Sequence, residues 1–223
     1  MKVTTDACLF GAWVAREVNN EKLITNNFLD IGTGTGLLAL MLAQKTGAEI
    51  DCIEIDIGAA EQAQENGDAS PWKGRVFVMP GDAKQMIETF CKDFDVIISN
   101  PPFYEKEIRS ETREKNVAHH SSHLTLDELL SLIKNYLTPN GIFFLLLPYK
   151  RNEEIKRLFK SHQVHIVKIA LVRQSVKHDY FRIMIKGKLS SWQTEFDEIS
   201  ICDDKQQYTK EFEDLLKDYY LNL

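Results

Sequence analysis

The chain of 223 residues contains no run of about 18 or more apolar residues, the length a membrane-spanning helix needs, so no membrane partner is expected. Its start, Met1-Lys2-Val3-Thr4-Thr5-Asp6, lacks the charged-then-apolar profile of a secretory leader. Cysteine is sparse: Cys8, Cys52, Cys91 and Cys202 are scattered and form no metal-like pair. Reduced thiols in a cytoplasmic protein are the economical reading. Positive charge is not in excess either, with 27 Lys and Arg against 33 Asp and Glu and a formal net charge of -6. That balance excludes diffuse polycationic binding, so a nucleic-acid substrate has to be argued from a local basic face. Internal repeats and a composition break that would mark a second domain are also missing. We therefore expect a single domain over residues 1–223, long enough for one filled α/β core, and a monomer.

What is present begins with Asp30-Ile31-Gly32-Thr33-Gly34-Thr35-Gly36. Phe28-Leu29 before it reads as the end of a buried strand, and 37–43 after it is an apolar run of good helix formers. Strand, glycine turn and helix together bring backbone N–H groups close to a nucleotide-like ligand, because glycine accepts φ values closed to other residues and has no Cβ. The turn lacks the Lys-Ser/Thr ending of a phosphate-cradling P-loop. It also misses the dinucleotide spacing, since Gly36 falls one place early.

Taken in order, residues 4–20 read as a helix, with Leu9, Phe10, Trp13, Val14 and Val18 near helical spacing. Strands are expected at 48–56, 75–80, 94–99 and 142–148, the last very apolar and therefore central. Helices are expected at 59–66, 86–91, 126–137, 152–160 and 208–220, with a turn at 138–141. Strands at 164–172 and 180–186 read as an antiparallel pair, and 190–207 as a polar connection. Consecutive β-to-helix units predict a largely parallel α/β sheet covered on both faces, with ligands beyond the C-terminal ends of its strands. Gly32, Glu54, Asp82 and Asn100 all fall there.

Glu54 ends the second strand, and its two oxygens match the vicinal hydroxyls of a ribose; Asp56 is the rival, although its place favours capping the next helix. Asp82 can accept from an adenine amine while the backbone of Ala83 donates to the ring, or it can cap a turn. Asn100-Pro101-Pro102-Phe103 is the most specific short signal. The Asn100 amide and the Pro101 carbonyl can accept from an exocyclic amine, leaving the nitrogen lone pair free to meet an electrophilic methyl group. Pro102 stiffens the backbone, and Phe103 or Tyr104 offers a face on which a base stacks for about 1–3 kcal/mol.

The pairing of that glycine turn with Asn100-Pro101-Pro102-Phe103 resembles the S-adenosylmethionine-dependent methyltransferases that modify exocyclic amines or amide nitrogens. The resemblance implies a Rossmann-like seven-stranded class I methyltransferase sheet, mostly parallel with an antiparallel C-terminal strand pair. More narrowly, the segment Lys2 to Trp13, the charged stretch through Arg109, Arg113 and His119-His120, and Glu211-Phe212 resemble the bacterial family that methylates adenine N6 beside the anticodon of a valine tRNA. This implies S-adenosylmethionine as cofactor, tRNA rather than DNA as partner, and an extension preceding Lys2 in such proteins. It also implies Asp30, Gly32, Gly34 and Gly36 at the cofactor's amino-acid end, Thr5 and Asp6 near its methionine moiety, Glu54 at its ribose, and Asp82 with Ala83 at its adenine. Asn100, Pro101, Pro102 and Phe103 would hold the target base.

Residues 103–124 are rich in charge and long for an ordinary connection, which marks a substrate loop. Lys106, Arg109, Arg113, Lys115, His119 and His120 offer RNA contacts; interspersed glutamates leave a solvated mixed-charge loop as the competing reading. The histidines lack a ligand-like arrangement, so no metal is expected. Two other functions fit the motifs: methylation of a protein glutamine, because the same loop accepts either planar nitrogen, and non-catalytic RNA binding.

Overall fold

The computed structural model describes residues 3–21, 27–101 and 124–222. Elements in chain order are α1 (Thr5–Asn19), β1 (Asn27–Ile31), α2 (Leu37–Lys45), β2 (Glu49–Glu54), α3 (Ile57–Ala69), β3 (Val76–Pro80), α4 (Ala83–Met86), β4 (Phe94–Ser99), α5 (Leu126–Tyr136), β5 (Leu137–Pro148), α6 (Asn152–His162), β6 (His165–Ser175), β7 (Tyr180–Lys188), β8 (Glu195–Cys202) and α7 (Lys210–Leu216). The strands form one sheet in the order β3-β2-β1-β4-β5-β7-β6-β8. The first five are mutually parallel, and β7 runs antiparallel between β5 and β6.

Period-two alternation explains why the central strands are apolar throughout. Ile142, Phe144 and Leu146 of β5 join the core under α1 and α2, whereas Phe143, Leu145 and Leu147 join the core under α5 and α6. Trp13 is fully buried and meets the Phe144 ring edge-on at 5.7 Å. Gly187 on β7 pairs with Phe143, and a Cβ there would lie 2.2 Å from that ring. The helix α5 begins with a capping box in which the Thr125 hydroxyl accepts from the Glu128 amide and Glu128 accepts from the Thr125 amide.

Helix α1 is fastened to the sheet by charge as well as packing. Glu17, buried, accepts from Lys168 and Lys186, each at 3.1 Å, and Glu21 accepts from Lys186 at 2.7 Å and Lys188 at 3.1 Å. At the other end of the helix, Asp6 accepts from Arg182 Nε at 2.7 Å.

Several boundaries differ from the sequence expectation. The sheet has eight strands rather than seven, because the polar stretch 190–207 contains β8, paired parallel to β6. Its Glu195, Phe196 and Glu198 are exposed on the outermost strand, so it carries little apolar pattern. The expected turn at 138–141 is the irregular start of β5, with a register shift against β4 between Phe94 and Val96. Strand β1 continues through Asp30 and Ile31, and the last helix is confined to Lys210–Leu216. No helix among the described residues is long and apolar enough to cross a membrane.

Candidate active site

A cavity of about 400 Å3 opens beyond the C-terminal ends of β1, β2, β4 and β5. The turn after β1 forms its floor. Gly32, Gly34 and Gly36 have φ of 74°, 60° and 86°, left-handed values that favour glycine. A Cβ on Gly32 would meet nothing within 4 Å, so its absence leaves free space above the turn. The turn's amides are not generally open to a ligand, contrary to expectation. Gly32 and Thr33 donate to the Ile53 carbonyl, Gly36 to the Thr33 carbonyl, and Gly34 to Glu54. What the turn offers is close approach rather than a nest of free donors.

Glu54 holds this arrangement together. Its Oε2 accepts from the Gly34 amide at 2.8 Å and its Oε1 from the Asp56 amide at 3.0 Å. Each oxygen retains a lone pair, and the residue lines the cavity. Asp56, its rival, caps α3 by accepting from the Ala59 amide at 2.8 Å. Asp30 is fully buried beneath the turn and accepts from the Thr33 hydroxyl at 2.6 Å. Burial pushes its carboxyl up to about 7, with the Thr33 bond opposing and the neighbouring Glu54 charge adding to the rise. Asp82 and Ala83 line the cavity, and Asp82 also caps α4 by accepting from the Lys84 amide at 3.0 Å.

Asn100 and Pro101 line the opposite wall, behind Ser99, whose hydroxyl donates to the Ile31 carbonyl at 2.7 Å and ties β4 to β1. The cavity thus brings together Gly32, Gly34, Glu54, Asp82, Ala83, Asn100 and Pro101. Thr5 and Asp6 are not in its wall; their neighbours Thr4 and Ala7 are. Pro102, Phe103, Tyr104, Lys106, Arg109, Arg113, Lys115, His119 and His120 lie outside the described residues. The sequence reading missed Leu146, Pro148 and Arg182, which close the side of the cavity formed by β5 and β7. Only the pairing of Pro148 with Arg182 brings them there, and that register leaves no local trace.

A parallel sheet with a glycine turn after its first strand, an acid ending its second, and Asn-Pro after its fourth defines a class I methyltransferase. Residues 14–168 match the methyltransferase small domain. The fold resembles that of a predicted O-methyltransferase from Agrobacterium tumefaciens, with a TM-score of 0.70 at 18% identity, covering 97% of this chain and 99% of that one. A glycopeptide N-methyltransferase solved with S-adenosyl-L-methionine gives a TM-score of 0.57 at 11% identity over 81% of this chain and 94% of its own.

Sequence likeness narrows the class. The tRNA1(Val) (adenine(37)-N6)-methyltransferase of Flavobacterium johnsoniae is 37% identical, covering 100% of this chain and 94% of the relative. The enzyme of the same name from Yersinia enterocolitica is 34% identical, covering 100% and 87%. The chain belongs to this family of tRNA1(Val) (adenine(37)-N6)-methyltransferases.

Proposed function

We propose that this protein transfers the methyl group of S-adenosylmethionine to N6 of adenine 37, beside the anticodon of a valine tRNA, acting as a single domain. The observation that carries the reading is one cavity that joins Glu54, Asp82 and the glycine turn to Asn100 and Pro101, in a chain aligned along its whole length with relatives of that name.

The residues present fit the cofactor. Glu54, already fixed by two amides, would accept from the ribose hydroxyls; Asp82 and the Ala83 backbone would take the adenine; the open space over Gly32 would admit the amino-acid end. Asp30 acts beneath the turn through Thr33. When bound, the cofactor supplies an electrophilic methyl group on its sulfonium. The protein's task is then to present a poor nucleophile correctly. The Asn100 side-chain oxygen and the Pro101 carbonyl accept the two N6 hydrogens, which turns the nitrogen lone pair towards the methyl group. Orientation and proximity supply the rate, no strong base is required before methyl transfer, and the cationic N6 formed by it loses its extra proton to solvent. Adenine has to leave its stack to reach this pocket, with Phe103 or Tyr104 as the stacking face and Lys106, Arg109, Arg113, Lys115, His119 and His120 as phosphate contacts.

The test uses labelled S-adenosylmethionine and tRNA from cells lacking the modification, with nucleoside mapping by mass spectrometry. Label at N6 of adenine 37 in valine tRNA is expected. Asn100→Ala should lose at least a hundredfold in turnover while cofactor affinity stays within about threefold. Label in protein, or none in tRNA, would overturn the reading.

A further inference from the structure

We propose that Arg182 binds a backbone phosphate of the nucleotide being methylated and fixes how far its base enters the cavity. The inference rests on the tRNA reading above.

Among the described residues that line the cavity, Arg182 is the one cation, facing a wall that carries Glu54 and Asp82. A polyanion entering such a cavity is repelled unless a positive group stands at its own side. Strand order fixes which side that is. Glu54 lies on β2, two strands from β4, which leads into Asn100; Arg182 lies on β7, two strands away in the other direction. Adjacent strands are about 4.8 Å apart, so Asn100 is flanked by Glu54 and Arg182 at about 10 Å each. Ten ångströms is close to the span of one nucleotide from base edge to phosphate. The cofactor's ribose end would occupy the Glu54 side, which leaves Arg182 on the side of the incoming base.

The guanidinium is set up for this contact. Its Nε donates to Asp6 Oδ2 at 2.7 Å, which anchors one edge of the fork. The Asp6 side chain is 14% exposed and that of Arg182 36%, so the carboxylate sits behind and the cation in front. Burial tends to raise the Asp6 carboxyl, but the Thr4 hydroxyl and Arg182 outweigh it and hold the group below the ordinary aspartate range. Asp6 therefore remains an ionised anchor. The Nη groups have no hydrogen-bond partner among the described residues, and a planar fork with two free N–H directions suits phosphate.

Fluorescence anisotropy of valine tRNA binding across a salt series, with the cofactor product S-adenosylhomocysteine present, tests the assignment. Arg182→Ala should weaken tRNA binding about tenfold or more and flatten the plot of log affinity against log salt by about 0.7 to 0.9. Calorimetric affinity for S-adenosylhomocysteine should stay within twofold. Arg182→Lys keeps the charge and should restore the slope while leaving KM for tRNA raised, because the fork is lost. An unchanged slope in Arg182→Ala, in a variant that melts like the wild type, overturns the proposal. So does a loss of S-adenosylhomocysteine affinity with the tRNA slope intact, which would give Arg182 to the cofactor's carboxylate instead. Wild-type methylation of the tRNA is the control: if it fails, both readings fall, whereas success with an unaltered mutant slope sinks this one alone.

Discussion

Replacing Glu54 with glutamine probes the junction between the glycine turn and the cofactor. The wild-type carboxylate accepts from two amides, Gly34 at 2.8 Å and Asp56 at 3.0 Å, while presenting its remaining lone pairs to the cavity. Glutamine has one acceptor oxygen, so its NH2 must face one of those amides, donor against donor. A hydrogen bond to a charged group contributes about 1.5–3 kcal/mol, and one such bond is lost at the turn or transferred as a loss to the ribose. A loss at the turn lowers the stability of the free protein, whereas a loss at the ribose should weaken cofactor binding about 10- to 150-fold. Titration calorimetry with S-adenosylhomocysteine reads this directly, and thermal unfolding without ligand separates local from global damage. Glu54→Asp should behave similarly, since a chain one methylene shorter cannot reach Gly34 and Asp56 together. If Glu54→Gln bound the ligand within threefold of wild type and melted like it, the carboxylate would not be the ribose acceptor.

Two further perturbations test the packing beneath the site. Asp30 titrates near 7 when folded against 3.8 as its ordinary value, so between pH 4 and 7 the folded state holds the extra proton. Stability without ligand should therefore fall as pH rises through that window, by on the order of 4 kcal/mol from this group, and level off above it. Asp30→Asn should flatten the decline; parallel urea-unfolding curves for the two proteins from pH 4.5 to 7.5 would refute the assignment. Gly187→Ala places a methyl group 2.2 Å from the Phe143 ring and should cost about 1–3 kcal/mol in urea denaturation. Trimming the ring with Phe143→Leu in the same chain should recover part of that loss, and simple additivity of the two changes would show that the crowding is not local.

What could be read from the sequence followed contacts that are short in the chain. The glycine turn, the acid ending β2, the cap at Asp56 and the apolar run of β5 all announce themselves within a few residues. Features set by distant pairing did not. The resemblance implies Asp6 near the methionine moiety of the ligand, but nothing close to it in the chain signals its partner Arg182, 176 residues away. Strand β8 was hidden because only Ile199-Ser200-Ile201 alternates in it, while Glu195, Phe196 and Glu198 are exposed on an outermost strand. The free amides expected of the turn were a local inference too, and they failed because the acceptors, Ile53 and Glu54, come from the neighbouring strand.

The ionic fastening of α1 has a consequence for how the protein comes into being. Thr4 and Ala7 at the start of that helix form part of the cavity wall, but Glu17 and Glu21 near its other end are matched by Lys168, Lys186 and Lys188, which the ribosome makes far later. At 5–20 residues per second, the interval between the two ends of this clasp is roughly ten to thirty seconds. During that time the first helix has an apolar face and two acids with no matching surface, and the pocket has no lid on that side. Acquisition of a complete ligand site is therefore one of the last events in the birth of the molecule, although Val3, Thr4 and Ala7 of its wall precede every strand of the sheet.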